Sequence, residues 1–421
     1  MERRDTPLTR GLDFYKPTMS QFAFERAPEA NVTFTFKNRN KEPLSRYVSP
    51  EQLRERFAAI QQNGFQPEEI AYLASLQAQD GTARFTAEYL DHLADMNLPP
   101  IEVGTDQQTG DIAIETTGSW PDVSFWETVV MSEVNEAFYQ GKLATEGLSL
   151  ADLYAEGDRR LSDKIARLQA RPDIKISDFG TRRRFSAAWH EHVLERLFTE
   201  CPDNVVGTSN VWFAHQYGVK PIGTFAHELP MVYAALEDIA GGNPLEGHTT
   251  LLREWYELYG DDLSIALTDT FGSEYFFTDF TPEQAAQWRG LRHDSGDPFA
   301  FGERVIAFYE QLNINPREKT LVFSDGLDID MIEKLADHFG DRIQLLYGWG
   351  TTLTNDLGLK ANNFVMKATK VTTPENPTGA ATVKLSDAHG KHTGPERLVR
   401  RYQTEVAAAI ARRSVGQLVR V

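Results

Sequence analysis

The sequence predicts an α/β protein in which an α+β amino-terminal domain precedes a parallel β/α barrel. At roughly 150 residues per domain, 421 residues are enough for two or three domains. Alternating and helical apolar patterns mix before about residue 140, whereas an apolar run followed by a polar cluster recurs seven times after about residue 172. We predict a first domain over residues 1–140, which C-terminal residues can also join, and a barrel over residues 141–421 carrying most of the functional site.

The chain is acidic, with 43 lysine and arginine residues against 61 aspartate and glutamate residues and a net charge of −18. This charge disfavours attraction to nucleic acid or to an anionic membrane. Cys201 is the single cysteine, which excludes an intrachain disulfide and a cysteine-based zinc site. No apolar run approaches the roughly 18 residues of a spanning helix, and the first residues lack a signal-peptide pattern. We expect a cytoplasmic protein that binds neither nucleic acid nor a membrane.

In the amino-terminal domain, apolar residues alternate over residues 32–36 and 112–116, which predicts two strands. Helical spacing behind proline or threonine predicts three short helices, and two longer helices lead out of the domain. The predicted helices cover residues 50–61, 67–77, 86–96, 123–139 and 148–169. The change from these mixed patterns to the recurring apolar runs and polar clusters places the domain boundary near residue 140.

Each polar cluster of the second domain follows a short apolar run. We expect each apolar run to form a strand that ends where the cluster begins. The clusters cover residues 178–184, 207–210, 223–228, 268–270, 292–298, 324–328 and 348–351. The unit is clearest after residue 324, where an apolar stripe over residues 329–339 predicts an amphipathic helix. A single cluster also fits an ordinary βα turn. Together they predict one reactive face, because parallel barrels carry functional residues at the carboxyl ends of their strands.

Three consecutive arginines, Arg182, Arg183 and Arg184, follow the first barrel strand of this acidic chain. Like charges repel, so we expect an anionic ligand to offset them. The guanidinium group of Arg183 can bind a phosphate or a carboxylate through paired hydrogen bonds. A solvated helix start with acidic partners is the alternative. RNA binding is disfavoured, because no aromatic residues are interleaved with the arginines.

The last cluster places Gly348 and Gly350 on either side of a tryptophan, and Thr351 follows them. Glycines let backbone N–H groups approach an anion closely, and Thr351 adds a hydroxyl group. Phosphate sites of β/α barrels often follow the last two strands, which is where this loop falls. The loop therefore predicts a site for a phosphate monoester.

Four aspartates lie near predicted strand ends, namely Asp294, Asp297, Asp325 and Asp328. Their oxygens suit Mg²⁺, which binds carboxylates together with water and substrate phosphates. Asp297 precedes Pro298 and also fits the N-cap of a helix, the role that we favour for it. Sequence alone does not separate metal ligands from caps. Arg292, just before these acids, is a candidate to hold an organic carboxylate.

His227 follows Gly223 and Thr224 at a predicted strand end, and Glu228 comes directly after it. An acid beside an imidazole fixes its tautomer and leaves one nitrogen free as a nucleophile or base. Glu228 or another carboxylate can provide that acid. A packed or surface histidine is the ordinary alternative. No histidine and glutamate spacing typical of a zinc enzyme is found.

These motifs, in this order, resemble those of the nicotinate phosphoribosyltransferase family over nearly the whole chain. The matching segments are residues 13–16, 178–184, 206–210, 223–228, 291–298, 321–325, the loop at 348 and residues 384–387. The resemblance implies a type II phosphoribosyltransferase with an irregular β/α barrel. It also implies a homodimer whose active sites are shared between subunits.

The implied reaction belongs to NAD biosynthesis. Nicotinate, 5-phosphoribosyl-1-pyrophosphate, ATP and water give nicotinate mononucleotide, pyrophosphate, ADP and phosphate. ATP is a co-substrate, Mg²⁺ is the implied cofactor, and the coupling passes through a phosphohistidine that falls on His227.

The resemblance also carries residue roles. The family's nicotinate contacts fall on Tyr15, Thr224 and Arg292, and its contact with the ribosyl 5-phosphate falls on Thr351. We further expect nicotinate near Phe179 and Ser209, and phosphoribosyl pyrophosphate near Arg183, Asp325, Gly348 and Gly350. Arg183, Arg292 and Asp294 are the predicted catalytic companions of His227, with Asp294 and Asp325 as metal ligands.

Two positions distinguish this chain among such proteins. Ser209 stands where nicotinamide-using members carry an aspartate, so a charge that would repel a carboxylate is absent. Removing or reversing a charge-assisted interaction changes binding by about 1.5 to 3 kcal/mol, or about ten- to a hundredfold in discrimination. Trp349 stands where the family more often has an aliphatic residue, with both neighbouring glycines kept.

Three alternatives remain open. A nicotinamide-using phosphoribosyltransferase is disfavoured by Ser209. A barrel isomerase or aldolase acting on a sugar phosphate would use the same phosphate loop with a base such as Lys367. A non-catalytic nucleotide-binding protein would bind such ligands without turnover.

Overall fold

Two β-sheets form the framework of the chain in the computed structural model, which describes residues 7–388 and 390–418, with side chains as far as residue 412. The strands are β1 (Asn31–Asn38), β2 (Ile101–Thr105), β3 (Ile112–Ser119), β4 (Ile176–Asp178), β5 (Val205–Thr208), β6 (Ile265–Leu267), β7 (Gly290–His293), β8 (Thr320–Phe323), β9 (Gln344–Trp349), β10 (Phe364–Thr372) and β11 (Ala380–Ala381). The first sheet has the order β11-β10-β1-β3-β2, and its neighbouring strands are antiparallel. The second has the order β5-β4-β9-β8-β7-β6, and its neighbouring strands are parallel.

Helices connect and cover the strands. They are α1 (Tyr15–Arg26), α2 (Pro50–Asn63), α3 (Pro67–Ser75), α4 (Ala87–Asp95), α5 (Trp120–Val123), α6 (Trp126–Glu146), α7 (Leu150–Gln169), α8 (Ala187–Glu200), α9 (Val211–Tyr217), α10 (Glu228–Ile239), α11 (Pro244–Tyr259), α12 (Ser273–Asp279), α13 (Pro282–Gln287), α14 (Pro298–Gln311), α15 (Ile329–Phe339), α16 (Thr351–Thr354) and α17 (Glu396–Leu418). Within the described residues, none of these helices is long and apolar enough to cross a membrane.

The predicted elements of the first domain are confirmed, with one difference in length. The strands expected at residues 32–36 and 112–116 are β1 and β3. Ser49 and Thr86 accept backbone hydrogen bonds at the starts of α2 and α4, as N-caps do. The helix predicted over residues 123–139 instead runs from Trp126 to Glu146, and it ends where Gly147 takes a left-handed conformation with φ of 65°.

The predicted α/β fold is confirmed, and its barrel is open. Six of the seven expected strands form the parallel sheet. The prediction of a strand at Ile222 is wrong, since that residue only donates a hydrogen bond to the Thr208 carbonyl oxygen at 2.9 Å. Pro221 pairs with Thr208 in a single bridge and has no N–H group with which to extend the ladder. Among the described residues, β5 and β6 are therefore the two unjoined edges of an irregular barrel.

The amino-terminal and barrel portions share one apolar core. The Phe22 ring of α1 lies 5.5 Å from the rings of Tyr233 and Trp255 on α10 and α11. After the barrel strands, β10 returns to the first sheet and pairs with β1 along its length. The predicted boundary at residue 140 falls inside α6, and the division into residues 1–140 and 141–421 stays a prediction.

Candidate active site

A cavity of about 570 Å³ opens at the carboxyl ends of the parallel strands. Loops that follow β4, β5, β7, β8 and β9 form one side of it. Residues 364–368 of β10 also line it, so both sheets contribute to the wall. A concave space of this size suits a small-molecule ligand.

Asp178 at the end of β4 organises the loop that follows it. Its carboxylate accepts hydrogen bonds from the Gly180 N–H at 2.8 Å and the Thr208 hydroxyl at 2.5 Å, and it lies 2.7 Å from His190 Nε2. Complete burial opposes ionisation, yet the His190 ring and these donors hold the pKa of Asp178 below its ordinary value. The loop that carries Phe179 and Arg182 is thereby fixed against β5.

The three consecutive arginines separate in the structure. Arg182 and Arg183 line the cavity, whereas the buried Arg184 donates to the Arg10 carbonyl oxygen at 2.7 Å. The Arg182 guanidinium lies over the Tyr15 ring, 5.7 Å from its centroid. Burial and the neighbouring charge of Arg182 lower the pKa of Arg183. An anion bound in the cavity would stabilise the charged form of Arg183.

A short pairing of chain segments brings the amino terminus to the barrel. Asp13 and Asn210 form an antiparallel bridge, and the Phe14 N–H donates to the Ser209 carbonyl oxygen at 2.6 Å. The Ser209 hydroxyl donates to Asp13 Oδ1 at 2.6 Å, and Arg182 lies 3.5 Å from Asp13 Oδ2. Burial raises the pKa of Asp13, against the influence of Arg182 and the Ser209 hydroxyl. The cavity therefore holds a carboxyl group at residue 13, directly beside Ser209.

The glycine loop after β9 packs closely on the loop after β4. A Cβ atom on Gly348 would lie 2.4 Å from the Phe179 ring, and one on Gly350 would lie 3.1 Å from the Phe179 carbonyl oxygen. Side chains at these positions would force the loops apart. Gly348, Gly350 and Thr351 all line the cavity, so the backbone of the predicted phosphate loop reaches its wall.

His227 directly precedes α10 and is held by four side chains. Its Nδ1 lies 2.9 Å from the buried Thr270 hydroxyl. Its Nε2 lies 2.9 Å from Asp294 Oδ2, 2.8 Å from Lys384 Nζ and 3.5 Å from Asp269 Oδ1. Since Asp294 and Lys384 line the cavity, Nε2 is the nitrogen on the cavity side.

Burial and the Lys384 ammonium lower the pKa of His227, although Asp269 and Asp294 act in the opposite direction. A lowered pKa favours the neutral ring, which has one N–H group and one free lone pair. When Lys384 donates to Nε2, the ring proton sits on Nδ1 and points to Thr270. In this form the Nε2 lone pair accepts the Lys384 hydrogen bond, so it can act as a nucleophile only after Lys384 has moved away; a proton on Nε2 would instead be donated to Asp294.

Glu228 does not orient the His227 ring. Its carboxylate lies 2.5 Å from the Lys16 ammonium and accepts a hydrogen bond from the Trp120 indole at 2.8 Å. Lys16 is completely buried and also pairs with Glu127 at 2.6 Å. The acid beside the His227 ring is instead Asp294, whose Oδ2 lies 2.9 Å from Nε2.

Among the described residues, one cluster of three side chains could hold a metal ion. His227, Asp269 and Asp294 offer one ligand atom each, all within 4.8 Å of one another. Asp269 Oδ1 is buried and has no hydrogen-bond partner, while Lys384 lies 3.1 Å from the other oxygen. Carboxylate oxygens fit the donors that Mg²⁺ prefers. Asp325, the second predicted ligand, lines the same cavity and pairs with Lys391 at 3.5 Å.

The other two aspartates act as helix caps. Asp297 accepts hydrogen bonds from the N–H groups of Phe299 and Ala300 at 2.8 and 3.1 Å, at the start of α14. Asp328 accepts one from Met331 at 2.8 Å, at the start of α15. Both carboxylates have structural partners, which agrees with the cap role favoured for Asp297.

Basic side chains from outside the parallel strands complete the cavity. Arg39 follows β1, Lys367 lies on β10 and Lys384 follows β11, and all three line the wall. Burial lowers the pKa of Lys367 to about 7, and the charges of Lys384 and Arg39 act in the same direction. Lys367 donates a hydrogen bond to the Thr393 hydroxyl at 2.8 Å. Crowded cations of this kind favour a ligand with several negative charges.

Most of the residues singled out from the sequence meet in this cavity. Those on its wall are Tyr15, Phe179, Arg183, Ser209, His227, Arg292, Asp294, Asp325, Gly348, Gly350 and Thr351. Thr224 lies outside the described wall, and its carbonyl oxygen accepts a hydrogen bond from Thr18 at 3.2 Å. The chemical roles of these residues stay predictions.

Sequence reasoning missed several lining residues. Arg182 belongs to the recognised arginine run, and Asp13 stands beside Tyr15 in a recognised motif, so both had a signal. Lys384 stands in the matching segment 384–387, whereas Arg39 had no signal, because it follows a strand of the other sheet and local spacing does not show that this sheet closes the cavity.

Comparison with known proteins gives a consistent result. Residues 11–135 match the model of the nicotinate phosphoribosyltransferase (NAPRTase) N-terminal domain, and residues 174–409 match that of the nicotinate phosphoribosyltransferase (NAPRTase) family. A nicotinate phosphoribosyltransferase of Desulforapulum autotrophicum is 36% identical over 383 residues, covering 91% of this chain and 94% of that protein. One of Chromobacterium violaceum is 35% identical over 400 residues, covering 92% and 94%.

Solved structures agree in fold. The crystal structure of nicotinate phosphoribosyltransferase from Porphyromonas gingivalis aligns with a TM-score of 0.85 and 28% identity, covering 96% of this chain and 100% of that one. The structure of nicotinate phosphoribosyltransferase from Vibrio cholerae aligns with a TM-score of 0.84 and 29% identity, covering 98% of this chain and 97% of that one.

Proposed function

The chain belongs to the nicotinate phosphoribosyltransferase family, and from this premise we propose that its cavity joins nicotinate to phosphoribosyl pyrophosphate, giving nicotinate mononucleotide and pyrophosphate. The observation that supports this most is the shared wall. Tyr15 and Ser209, the paired arginines and the glycine loop at Gly348 all face one space. An aromatic acid and a sugar phosphate can therefore meet there.

The chemistry requires positioning more than covalent catalysis. Displacement at the anomeric carbon passes through an oxocarbenium-like state, so the ring nitrogen of nicotinate must be aligned and the departing pyrophosphate stabilised. Tyr15 provides an aromatic surface for the pyridine ring, and Phe179 lines the same cavity. Arg183 is placed to neutralise pyrophosphate as charge accumulates on it.

Arg292 is proposed to hold the nicotinate carboxylate. Its Nε is buried and has no hydrogen-bond partner, which is costly for a guanidinium group. A carboxylate reaching this nitrogen would satisfy it. Ser209 adds no charge at the base site, which favours nicotinate over nicotinamide.

We propose that His227 couples ATP hydrolysis to this reaction. Its Nε2 lone pair attacks the γ-phosphorus of ATP, the bond to the β,γ-bridging oxygen breaks, and ADP leaves. For this attack Lys384, at 2.8 Å from Nε2, must release that nitrogen and donate to a phosphoryl oxygen instead, while the ring proton remains on Nδ1 beside Thr270. Water later hydrolyses the phosphohistidine and releases phosphate.

Polyphosphate groups fit the basic side of the cavity. Arg39, Lys367 and Lys384 reach the wall from the first sheet and its C-terminal extension. Mg²⁺, held by Asp294 and Asp325 together with phosphate oxygens, would neutralise charge on the leaving pyrophosphate. Asp294 is ready for that role, since burial opposes but His227 and Arg292 strongly lower its pKa.

The assembly is proposed to be a homodimer that shares active sites. The resemblance to the family supports it, while the lining residues described here come from both portions of one chain. Light scattering measures the assembly. Activity that falls as the dimer dissociates on dilution would support shared sites, and full activity of the monomer would exclude them.

Product analysis tests the function. The protein is mixed with nicotinate, phosphoribosyl pyrophosphate and Mg²⁺, with and without ATP, and we expect nicotinate mononucleotide and pyrophosphate. His227→Asn should lose nicotinate-dependent ATP hydrolysis and acid-labile phosphate incorporation while it keeps some uncoupled transfer. Undiminished coupling in that variant would exclude the phosphohistidine.

The same assay separates the alternatives. Faster turnover of nicotinamide than of nicotinate would favour the nicotinamide-using class. Borohydride trapping of a sugar phosphate on Lys367 would favour an aldolase. Thermal stabilisation by these ligands without any product would favour a non-catalytic binding protein.

A further inference from the structure

Trp349 stands between the two glycines of the phosphate loop and is completely buried. Its indole Nε1 donates a hydrogen bond to the Thr352 hydroxyl at 2.6 Å. The same hydroxyl donates to the Leu327 carbonyl oxygen at 2.5 Å. The glycine loop is thereby tied to the loop after β8, which brings Asp325 to the cavity.

Lys164 contacts the backbone carbonyl group of Thr352. Its ammonium group donates to the Thr352 carbonyl oxygen at 2.5 Å and pairs with Asp356 at 2.7 Å. It also lies 5.7 Å from the centroid of a Trp349 ring, within reach of a cation–π contact. Burial lowers the pKa of Lys164, against the pull of Asp356, so this buried cation depends on its partners.

The two contacts fix the hydroxyl and the carbonyl group of a single loop residue. Thr351 and Thr352 both line the cavity, so the position of their backbone determines where a phosphate can bind. An aliphatic residue at position 349 has no side-chain N–H group and could not form the indole contact. The loop of this chain is therefore held by hydrogen bonds that depend on its tryptophan.

We propose that Trp349 is a positioning residue for the sugar-phosphate substrate: through Thr352 it holds the glycine loop in the conformation that binds the ribosyl phosphate. This inference rests on the proposed function, because it takes phosphoribosyl pyrophosphate as the ligand of the loop. Trp349 itself does not line the cavity and acts only through its neighbours.

Trp349→Phe tests the proposal, since it keeps a buried aromatic ring and removes the N–H donor. We expect the KM for phosphoribosyl pyrophosphate to rise about two- to tenfold, the range that follows from removing one hydrogen bond. The KM for nicotinate and kcat should change less than twofold. Calorimetric titration with ribose 5-phosphate should show the same decrease in affinity without any turnover.

Trp255→Phe is the matched control. Trp255 is equally buried, and its indole donates to the Leu263 carbonyl oxygen at 3.0 Å, away from the cavity. This variant removes the same kind of bond and should leave the KM for phosphoribosyl pyrophosphate unchanged. Thr352→Val should reproduce the Trp349→Phe effect, Thr352→Ser should restore wild-type behaviour, and the double variant should be no worse than Thr352→Val alone.

The outcomes are distinct. An unchanged KM for phosphoribosyl pyrophosphate in Trp349→Phe, or equal changes for both substrates, would overturn the positioning role. If Trp349→Phe does not fold, an unchanged KM in Thr352→Val would overturn it as well. Absence of nicotinate mononucleotide from the wild-type protein would refute the proposed function instead, and the ribose 5-phosphate titration would still test the loop.

Discussion

Replacing Ser209 with aspartate tests how the cavity distinguishes nicotinate from nicotinamide. The Ser209 hydroxyl lies 2.6 Å from Asp13 Oδ1, so Ser209→Asp would place two carboxyl groups side by side. Burial already raises the pKa of Asp13. A second acid therefore enters a place where one carboxylate is hard to ionise.

The size of the effect follows from this separation. Two unit charges about 4 Å apart at an effective dielectric constant of about 20 repel by about 4 kcal/mol. Between its two pKa values the pair holds one shared proton. It releases this proton only when the pH rises through the raised upper pKa. Nicotinate then meets an additional negative charge, and the penalty should approach about 1.5 to 3 kcal/mol, or about ten- to a hundredfold in kcat/KM.

The assay is kcat/KM for nicotinate and nicotinamide measured across a range of pH. We expect Ser209→Asp to lose preference for nicotinate increasingly as pH rises. Ser209→Asn, which adds no charge, should show a smaller and pH-independent change. Adding Asp13→Asn to Ser209→Asp leaves one carboxyl group and should remove most of the pH dependence. Equal behaviour of the aspartate and asparagine variants at every pH would refute the electrostatic reasoning.

Two further predictions concern buried lysines. Lys16→Met leaves Glu127 and Glu228 buried without their cation, so the free energy of unfolding in urea should fall by about 3 to 5 kcal/mol. Lys37→Met, at an exposed position of β1, should change it by less than about 0.5 kcal/mol, and a similar small change in Lys16→Met would contradict the account. Polyanion binding should protonate Lys367, whose pKa is lowered to about 7, so affinity for pyrophosphate is highest below pH about 7 and declines above it. Calorimetry in buffers of different ionisation enthalpy should detect proton uptake in the wild type and in Lys370→Met, which alters an exposed residue of the same strand, but not in Lys367→Met.

Much of the barrel could be predicted because its signals are local. The stripe over residues 329–339 matches α15, and each formed barrel strand ends beside a recognised polar cluster. His227, Asp294 and the glycine loop were found for the same reason, since strand ends of one parallel sheet lie at one edge. The arginine run predicted an anion site, but only three-dimensional packing shows that Arg184 turns away to the Arg10 carbonyl group.

The closing of the cavity by the first sheet could not be found in this way. Arg39, Lys367 and Lys384 reach the cavity because β10 pairs with β1 across more than 300 residues of sequence, a pairing that no short pattern records. The open edge of the barrel was missed as well. Pro221 interrupts a run that otherwise predicts a strand. The acid beside His227 could not be identified for a related reason, because the adjacent Glu228 was a candidate and the distant Asp294 makes the contact.

A buried cation beside the cavity links the stability of this site to its chemistry. Tyr15 lines the cavity while the next residue, Lys16, enters the buried cluster with Glu127 and Glu228. His227 and the next residue, Glu228, both line the cavity, and Glu228 also belongs to that cluster. The Lys16 ion pairs thus join the turn that carries the proposed nucleophile to the helix that carries the aromatic surface. A change at Lys16 should therefore weaken nicotinate binding as well as the fold, although Lys16 itself is completely buried and does not line the cavity.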